Sequence, residues 1–342
     1  MGTKLGDLIE SEEISFEHLF NKKIGIDAMN TIYQFLSIIR QRDGTPLKDS
    51  QGNITSHLSG IFYRNAKLLE KNIKPVYIFD GEAPELKAEE SKERRKKREK
   101  AREEWKKLKE EGKLKKAFKK ATQSSKLTPD MVKEAKKLLE AMGIPYIQAP
   151  SEGEAQAAQM NKEGSIWAVG SQDWDSLLFG AERFVKNLTV TGKRKIPGKQ
   201  RYKNIVPEKV ESGEALNQLG INREKLVWIG ILIGTDFNPG GIKGIGPKTA
   251  IKMVKKYESF EELMSDDKVE WDDENDPEKI LELFLNPPVE KKIGFEYGNP
   301  DREKVFEVLV EQHDFSENRV DSTYKKLEKS LKQSQQDLGS YF

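Results

Sequence analysis

The stretch KIGIDAMNTIYQFLSII, residues 23–39, decides the fold. Its apolar run, Ile24 to Ala28, reads as a buried strand, and Thr31 to Ile39 then carries apolar residues at the three-and-four spacing of a helix. Similar strand-like runs recur at Val76 to Phe79, Tyr146 to Ala149, Ile166 to Val169 and Phe184 to Leu188, with helical patterns at Ile61 to Leu69 and Met131 to Met142. Alternation of strand and helix predicts an α/β fold with a mostly parallel central sheet flanked by helices. In such sheets ligands bind beyond the carboxyl ends of the strands. Asp27 and Asp80, closing the runs IGID and VYIFD, fall at those ends.

Five further acids stand in comparable places: Glu152 and Glu154 in APSEGEAQAA, Asp173 and Asp175 in SQDWDSLLFG, and Asp236 after ILIGT. A buried carboxylate is costly unless it is paired or coordinates a cation. Ser151 and Glu154 match a capping box, so a cap and a ligand are both open readings there. Asp173 and Asp175, two apart in extended chain, would project to one face and repel each other without an intervening cation. Asp236 also suits a simple turn. Together, without cysteine to compete, the seven favour oxygen-only ligation of Mg²⁺, with Mn²⁺ able to substitute. Two such ions about 4 Å apart can activate water and stabilise the leaving oxygen of a phosphodiester, the chemistry of a nuclease or phosphatase.

Composition excludes other chemistry. The 342 residues contain no cysteine, which removes disulfides, thiolate catalysis and cysteine-held metals. The three histidines, His18, His57 and His313, lie too far apart in sequence to suggest a common site. No window approaches the roughly 18 apolar residues of a membrane span, so a soluble, membrane-free protein is expected. Net charge is only +2, but its distribution is uneven. Lys87 to Lys120 holds 17 basic against 8 acidic side chains, whereas Asp266 to Glu278 is strongly acidic, with no evident role.

The basic segment lies in an insertion, about residues 85–126, that reads as one or two exposed helices with Trp105, Leu108, Leu114 and Phe118 as their apolar minority. It could be a plain solvated hairpin, but it leaves the sheet just after Asp80, where positive charge would attract phosphate. In GGIKGIGPKTA, residues 240–250, Pro247 separates Gly246 from Lys248 and rules out a nucleotide-binding P-loop. The glycine turns, opening a lysine-bearing helix, instead resemble the helix-hairpin-helix class of DNA-backbone clamps. The terminal QQDLGSYF sets Leu338, Tyr341 and Phe342 as an apolar plug on a short turn after a charged helix around Tyr324 to Leu331, suited to a partner.

Taken together, IGIDAMNTIYQFL, KPVYIFDG, APSEGEAQAA, SQDWDSLLFG, GTDFNPGGIKGIGPKTA and QQDLGSYF resemble the motifs of the flap endonucleases, structure-specific 5′ nucleases of DNA replication and repair, and most of all their archaeal members. The resemblance implies two Mg²⁺ held by Asp27, Asp80, Glu152, Glu154, Asp173, Asp175 and Asp236, and a catalytic pair, Lys87 and Arg94, at the base of a helical arch. It also implies DNA contacts from Gly2, Tyr33, Arg40, Arg64, Lys243, Gly244, Gly246, Lys248, Thr249 and Lys252, with K⁺ at the glycine turns. Gln335, Leu338, Tyr341 and Phe342 would dock on a sliding clamp.

The implied organisation is one nuclease body over residues 1–330: an amino-terminal region to about 84, the arch from 85 to 128, an internal region from 129 to 258 with the duplex-binding motif at 234–257, and helices from 259. A clamp-binding tail follows at 331–342. The expected protein is a monomer in the cytoplasm, associated with the nucleoid, acting on branched DNA with 5′ flaps. The rival readings are a non-catalytic DNA-binding scaffold recruited by the clamp and a metal-dependent ribonuclease.

Overall fold

The computed structural model describes residues 3–190, 192–195 and 202–339. Its strands, in chain order, are β1 (Glu12–Glu13), β2 (Lys23–Asp27), β3 (Lys74–Phe79), β4 (Tyr146–Gln148), β5 (Ala168–Gly170), β6 (Arg183–Lys186), β7 (Lys193–Lys195), β8 (Tyr202–Asn204) and β9 (Glu208–Glu211). Seven form one sheet in the order β1-β9-β6-β5-β2-β3-β4, and β7 and β8 pair apart from it. The run from β6 to β4 is parallel throughout, while β9 and β1 close one side antiparallel. The mostly parallel sheet is as the alternation predicted. The four strands absent from the sequence reading, β1, β7, β8 and β9, are two to four residues long and lack an apolar run: β1 is an edge strand, and Val210 is the one buried residue of β9.

Alternation along β3 shows how the sheet builds two cores. Val76 and Ile78 face one layer, with the helices α6 (Gly153–Lys162), α7 (Asp175–Leu178), α9 (Arg223–Ile233) and α10 (Pro247–Lys256). Tyr77 and Phe79 face the other, with α1 (Ala28–Ile38), α2 (Ser56–Glu70) and α5 (Pro129–Ala141). Ile32 and Phe35 of α1 are fully buried there, each stabilising the fold by about 1.5–3 kcal/mol. The remaining helices are α3 (Ala88–Glu110) and α4 (Leu114–Gln123), which form the basic insertion, α8 (Ser212–Leu219), and α11 (Phe260–Met264), α12 (Pro277–Leu285), α13 (Arg302–Phe306) and α14 (Glu317–Gly339).

The insertion is a helical hairpin, clasped by Lys120 to Glu104 at 2.6 Å. It is also docked on the body, unlike a freely solvated pair. The Trp105 indole donates to the Asp43 carbonyl at 3.3 Å, Lys109 meets the Asp43 carboxylate at 2.8 Å, and Ala117 and Ala121 are buried. α14 runs through Gly339, beyond the point where a turn was expected, so Gln335 and Leu338 lie on helical backbone. Tyr341 and Phe342 lie outside the described residues, as does Gly2.

Two of the histidines are brought together after all. His57 Nε2 lies 2.9 Å from Glu134 Oε2, His313 Nε2 lies 3.8 Å from Glu134 Oε1, and His313 Nδ1 reaches Asp49 at 3.0 Å. Burial would push the Asp49 carboxyl up, but hydrogen bonds from His313 and Asn53 outweigh it and hold the group below its ordinary range. The cluster ties α2 and α5 to the segment before α14, a contact sequence spacing cannot reveal. Glu134→Ala, which strands the fully buried His57, should cost about 1–3 kcal/mol in urea unfolding. An unchanged midpoint would show that the cluster does not hold these elements together.

Candidate active site

Because β4, β3, β2 and β5 are parallel neighbours, their carboxyl ends share one edge, and four adjacent loops deliver acids to it. Asp27 ends β2 opposite Ile78, and Asp80 follows the last residue of β3. Glu152 and Glu154 follow β4 at the start of α6, and Asp173 and Asp175 follow β5 at the start of α7. Asp236 comes from the turn after α9. Gly81 lets the loops close: a Cβ there would lie 2.2 Å from the Ala149 carbonyl.

The acids are held by donors from several elements. Asp27 accepts the Asn30 N–H at 3.0 Å and so caps α1. Asp80 accepts the Gly153 N–H at 2.8 Å and caps α6 from another strand. Of the two open readings, the capping box does not form, since Ser151 turns its hydroxyl to the Glu82 carbonyl and Glu152 takes the cap position without a side-chain bond. Asp173 and Asp175 do not share an extended strand: Asp175 opens α7 while Asp173 precedes it, with the Asp175 N–H facing Asp173 Oδ1 at 3.4 Å.

Three hydroxyls that sequence reasoning passed over complete the setting. Ser171 lies 3.1 Å from Glu154 and 3.4 Å from Asp27, Ser176 lies 3.3 Å from Glu154, and Thr3 donates to Asp175 through both its hydroxyl and its N–H. Ser171 and Ser176 flank the acids in SQDWDS and could have been suspected as donors. Thr3 gave no signal.

Electrostatics shows how closely the acids crowd. Burial, then Asp80 and Asp173, push the Asp27 carboxyl up to about 7. Burial and neighbouring acids also raise Glu154 and Asp175 well above their ordinary range, and Asp80, Glu152 and Asp173 shift the same way. Lys87 and Arg94 reach in from the hairpin. Lys87 Nζ lies 2.5 Å from Glu152 and 3.9 Å from Asp236, and Arg94 lies 2.7 Å from Asp236. Burial lowers the Lys87 pKa, but Glu152, Asp236 and Asp80 more than offset it and the ammonium titrates above its normal range.

Among the described residues no three acids close on one point tightly enough to form a finished coordination shell. Two cations, Lys87 and Arg94, are insufficient for seven carboxylates. A buried, all-oxygen donor set short of positive charge fits hard divalent cations.

The other sequence candidates fall into two groups. Near the hairpin, Tyr33 is half-buried on α1, and Arg40 spends three donors internally, on Leu36 (2.9 Å), Gly44 (2.7 Å) and Ser125 (2.7 Å). Arg64 is half-buried on α2. After Asp236, Ile242, Ile245 and Ala250 anchor the glycine turn in the core while Lys243, Gly244, Lys248, Thr249 and Lys252 remain exposed. Gly244 has φ +85° with open space where a side chain would stand, and Gly246 precedes α10.

An acidic edge beneath a basic hairpin, beside an exposed lysine-bearing glycine turn, defines a metal-dependent nuclease. Family models agree: the XPG N-terminal domain matches residues 3–101 and the XPG I-region residues 143–236. Flap endonuclease 1 of Pyrococcus horikoshii is 51% identical over 100% of this chain and 98% of its own length. The solved flap endonuclease-1 from Methanococcus jannaschii superposes with a TM-score of 0.76 at 40% identity, covering 97% of this chain and all of that one. The catalytic core of Rad2 in complex with DNA substrate gives 0.69 at 25% identity, covering 96% and 100%. The chain belongs to the flap endonuclease family, metal-dependent, structure-specific nucleases of DNA replication and repair that hydrolyse phosphodiester bonds.

The raised acids give a pH test. A carboxylate whose folded pKa is raised favours folding below its unfolded value, and that contribution is lost as pH rises through the folded pKa. For Asp27 the window runs from the ordinary 3.8 to about 7. In metal-free protein, Asp27→Asn should therefore gain stability relative to the parent between pH 4 and pH 7, measured by urea unfolding. A difference that stays flat across that range would mean that Asp27 titrates normally.

Proposed function

We propose that this chain cuts 5′ flaps in DNA near the junction of single and double strand, with 5′ to 3′ exonuclease activity, as in the processing of Okazaki fragments. The observation that carries this is the gathering of seven carboxylates at one sheet edge with two hairpin cations reaching among them. Asp27, Asp80, Glu152, Glu154, Asp173, Asp175 and Asp236 would hold two Mg²⁺, or Mn²⁺. The ions, when bound, would activate water for attack and offset charge on the leaving oxygen.

The chain's own residues supply the rest. Lys87 and Arg94 exchange their carboxylate partners for the scissile phosphate and stabilise charge building on its oxygens. Tyr33 offers a stacking face that accepts any base. Lys243, Lys248, Thr249 and Lys252, with the amides of Gly244 and Gly246, grip the phosphates of the downstream duplex, aided by K⁺. Arg40, Arg64 and Gly2 would add contacts to the same DNA. A single body over residues 1–330, with the arch at about 85–128, works as a monomer in the cytoplasm near the nucleoid, and the 331–342 tail docks on a sliding clamp through Gln335, Leu338, Tyr341 and Phe342.

Cleavage of a labelled 5′-flap DNA should require Mg²⁺ and stop in EDTA. Asp80→Asn, which keeps an acceptor for Gly153, should retain flap binding and lose more than about a hundredfold in single-turnover rate, beyond the loss expected for an outer-shell partner. Equal cutting in EDTA would sink the metal mechanism, and faster cutting of an RNA flap of the same shape would make the enzyme a ribonuclease.

Deleting Gln335 to Phe342 should spare basal cutting and abolish stimulation by the clamp. Loss of basal cutting would assign the tail to the fold instead.

A further inference from the structure

The acidic segment between α11 and α12 packs Val269 and Trp271 against the core and also sends a polar side chain inward. Asn275 Nδ2 donates to the Leu86 carbonyl at 2.9 Å and to the Phe237 carbonyl at 2.7 Å. Those carbonyls belong to the residue just before Lys87 and the residue just after Asp236. An amide NH₂ has two hydrogens, and both are used. Because both partners are acceptors, only one orientation of the amide satisfies them.

The loop is built to aim this group. The Trp271 indole donates to the Asn275 carbonyl at 2.8 Å, and the Asn275 N–H donates to Asp273 Oδ1 at 2.9 Å. Asp276 then caps α12 through the Glu278 N–H at 2.9 Å. Asp272, Glu274, Asp276 and Glu278 are exposed, so the acidity of the segment belongs to its solvated outer face.

We propose that Asn275 is a positioning residue for cleavage, clamping the base of the arch to the Asp236 turn and so fixing where Lys87 and Asp236 meet the phosphodiester. The inference rests on the roles given above to those two residues. Lys87 Nζ stands 5.2 Å from the Phe237 ring centroid and 3.9 Å from Asp236, so the segments Asn275 joins are those between which the ammonium lies. A shift of about 1 Å in such a group can slow a reaction about a hundredfold.

Asn275→Asp is the sharp variant: it keeps the shape and replaces both donors with acceptors facing two carbonyls. Flap cleavage at saturating enzyme, flap binding, Mg²⁺ titration and thermal unfolding would be measured for it, for Lys87→Ala and for the double variant. Asn275→Asp should slow single-turnover cleavage at least about tenfold, leave flap binding within about twofold, and add less than about twofold in the Lys87→Ala background. Trp271→Phe, which frees the loop without touching the amide, should slow cleavage in the same direction with the unfolding midpoint unchanged.

A wild-type rate in Asn275→Asp overturns the proposal. So does an equal factor in both backgrounds accompanied by a lowered midpoint, which marks a merely structural loop. If Lys87→Ala alone leaves the rate intact, the Lys87 role fails separately. Asn275 must then act through Asp236 as a raised Mg²⁺ requirement, and an unchanged requirement overturns it.

Discussion

A carboxylate removed from water must find positive charge, a hydrogen-bond donor or a proton. This chain places seven of them at one sheet edge, and much of the surrounding architecture answers that demand. Helix amides receive Asp27 and Asp80, three hydroxyls from two segments attend Asp27, Glu154 and Asp175, and the arch extends Lys87 and Arg94. These donors partly relieve the acids without neutralising them, and the remaining deficit of positive charge attracts a divalent ion.

The parallel sheet makes the crowding possible. An antiparallel arrangement of the same strands would send alternate carboxyl ends to opposite edges and scatter the acids. Here β5, β2, β3 and β4 lie side by side in one direction, so acids from Asp27 to Asp175 converge, and Asp236 joins them from the turn after α9. The arch and the glycine turn then divide the cationic work. One supplies charge over the acids, and the other presents exposed lysines beside them on an apolar anchor.

Features encoded locally were legible in the sequence. Asp27 and Asp80 stood out because an acid ending an apolar run conflicts with its neighbours, and the five parallel strands declared themselves by their apolar cores. Features depending on distant partners stayed hidden. The Ser151–Glu154 spacing fits a cap, yet Asp80 supplies the cap from another strand. His57 and His313 are 256 positions apart in number but meet at Glu134. The charged strands β1 and β9 offer no apolar pattern to read, and their ion pair, Lys209 to Glu12 at 3.1 Å, exists only once the edge has formed. Asn275 looked like one more polar residue in an acidic stretch, because its two acceptors come from segments far away.

The bond between Asp80 and the first amide of α6 separates two processes that many metalloproteins combine. Where a structural ion organises its own ligands, binding and folding are one event, and a chelator denatures the protein. Here the Gly153 N–H fixes the direction of Asp80 without any ion, so the acidic edge is already formed in the folded body. An acidic edge held in this way belongs to the scaffold itself and does not wait for a ligand to assemble it.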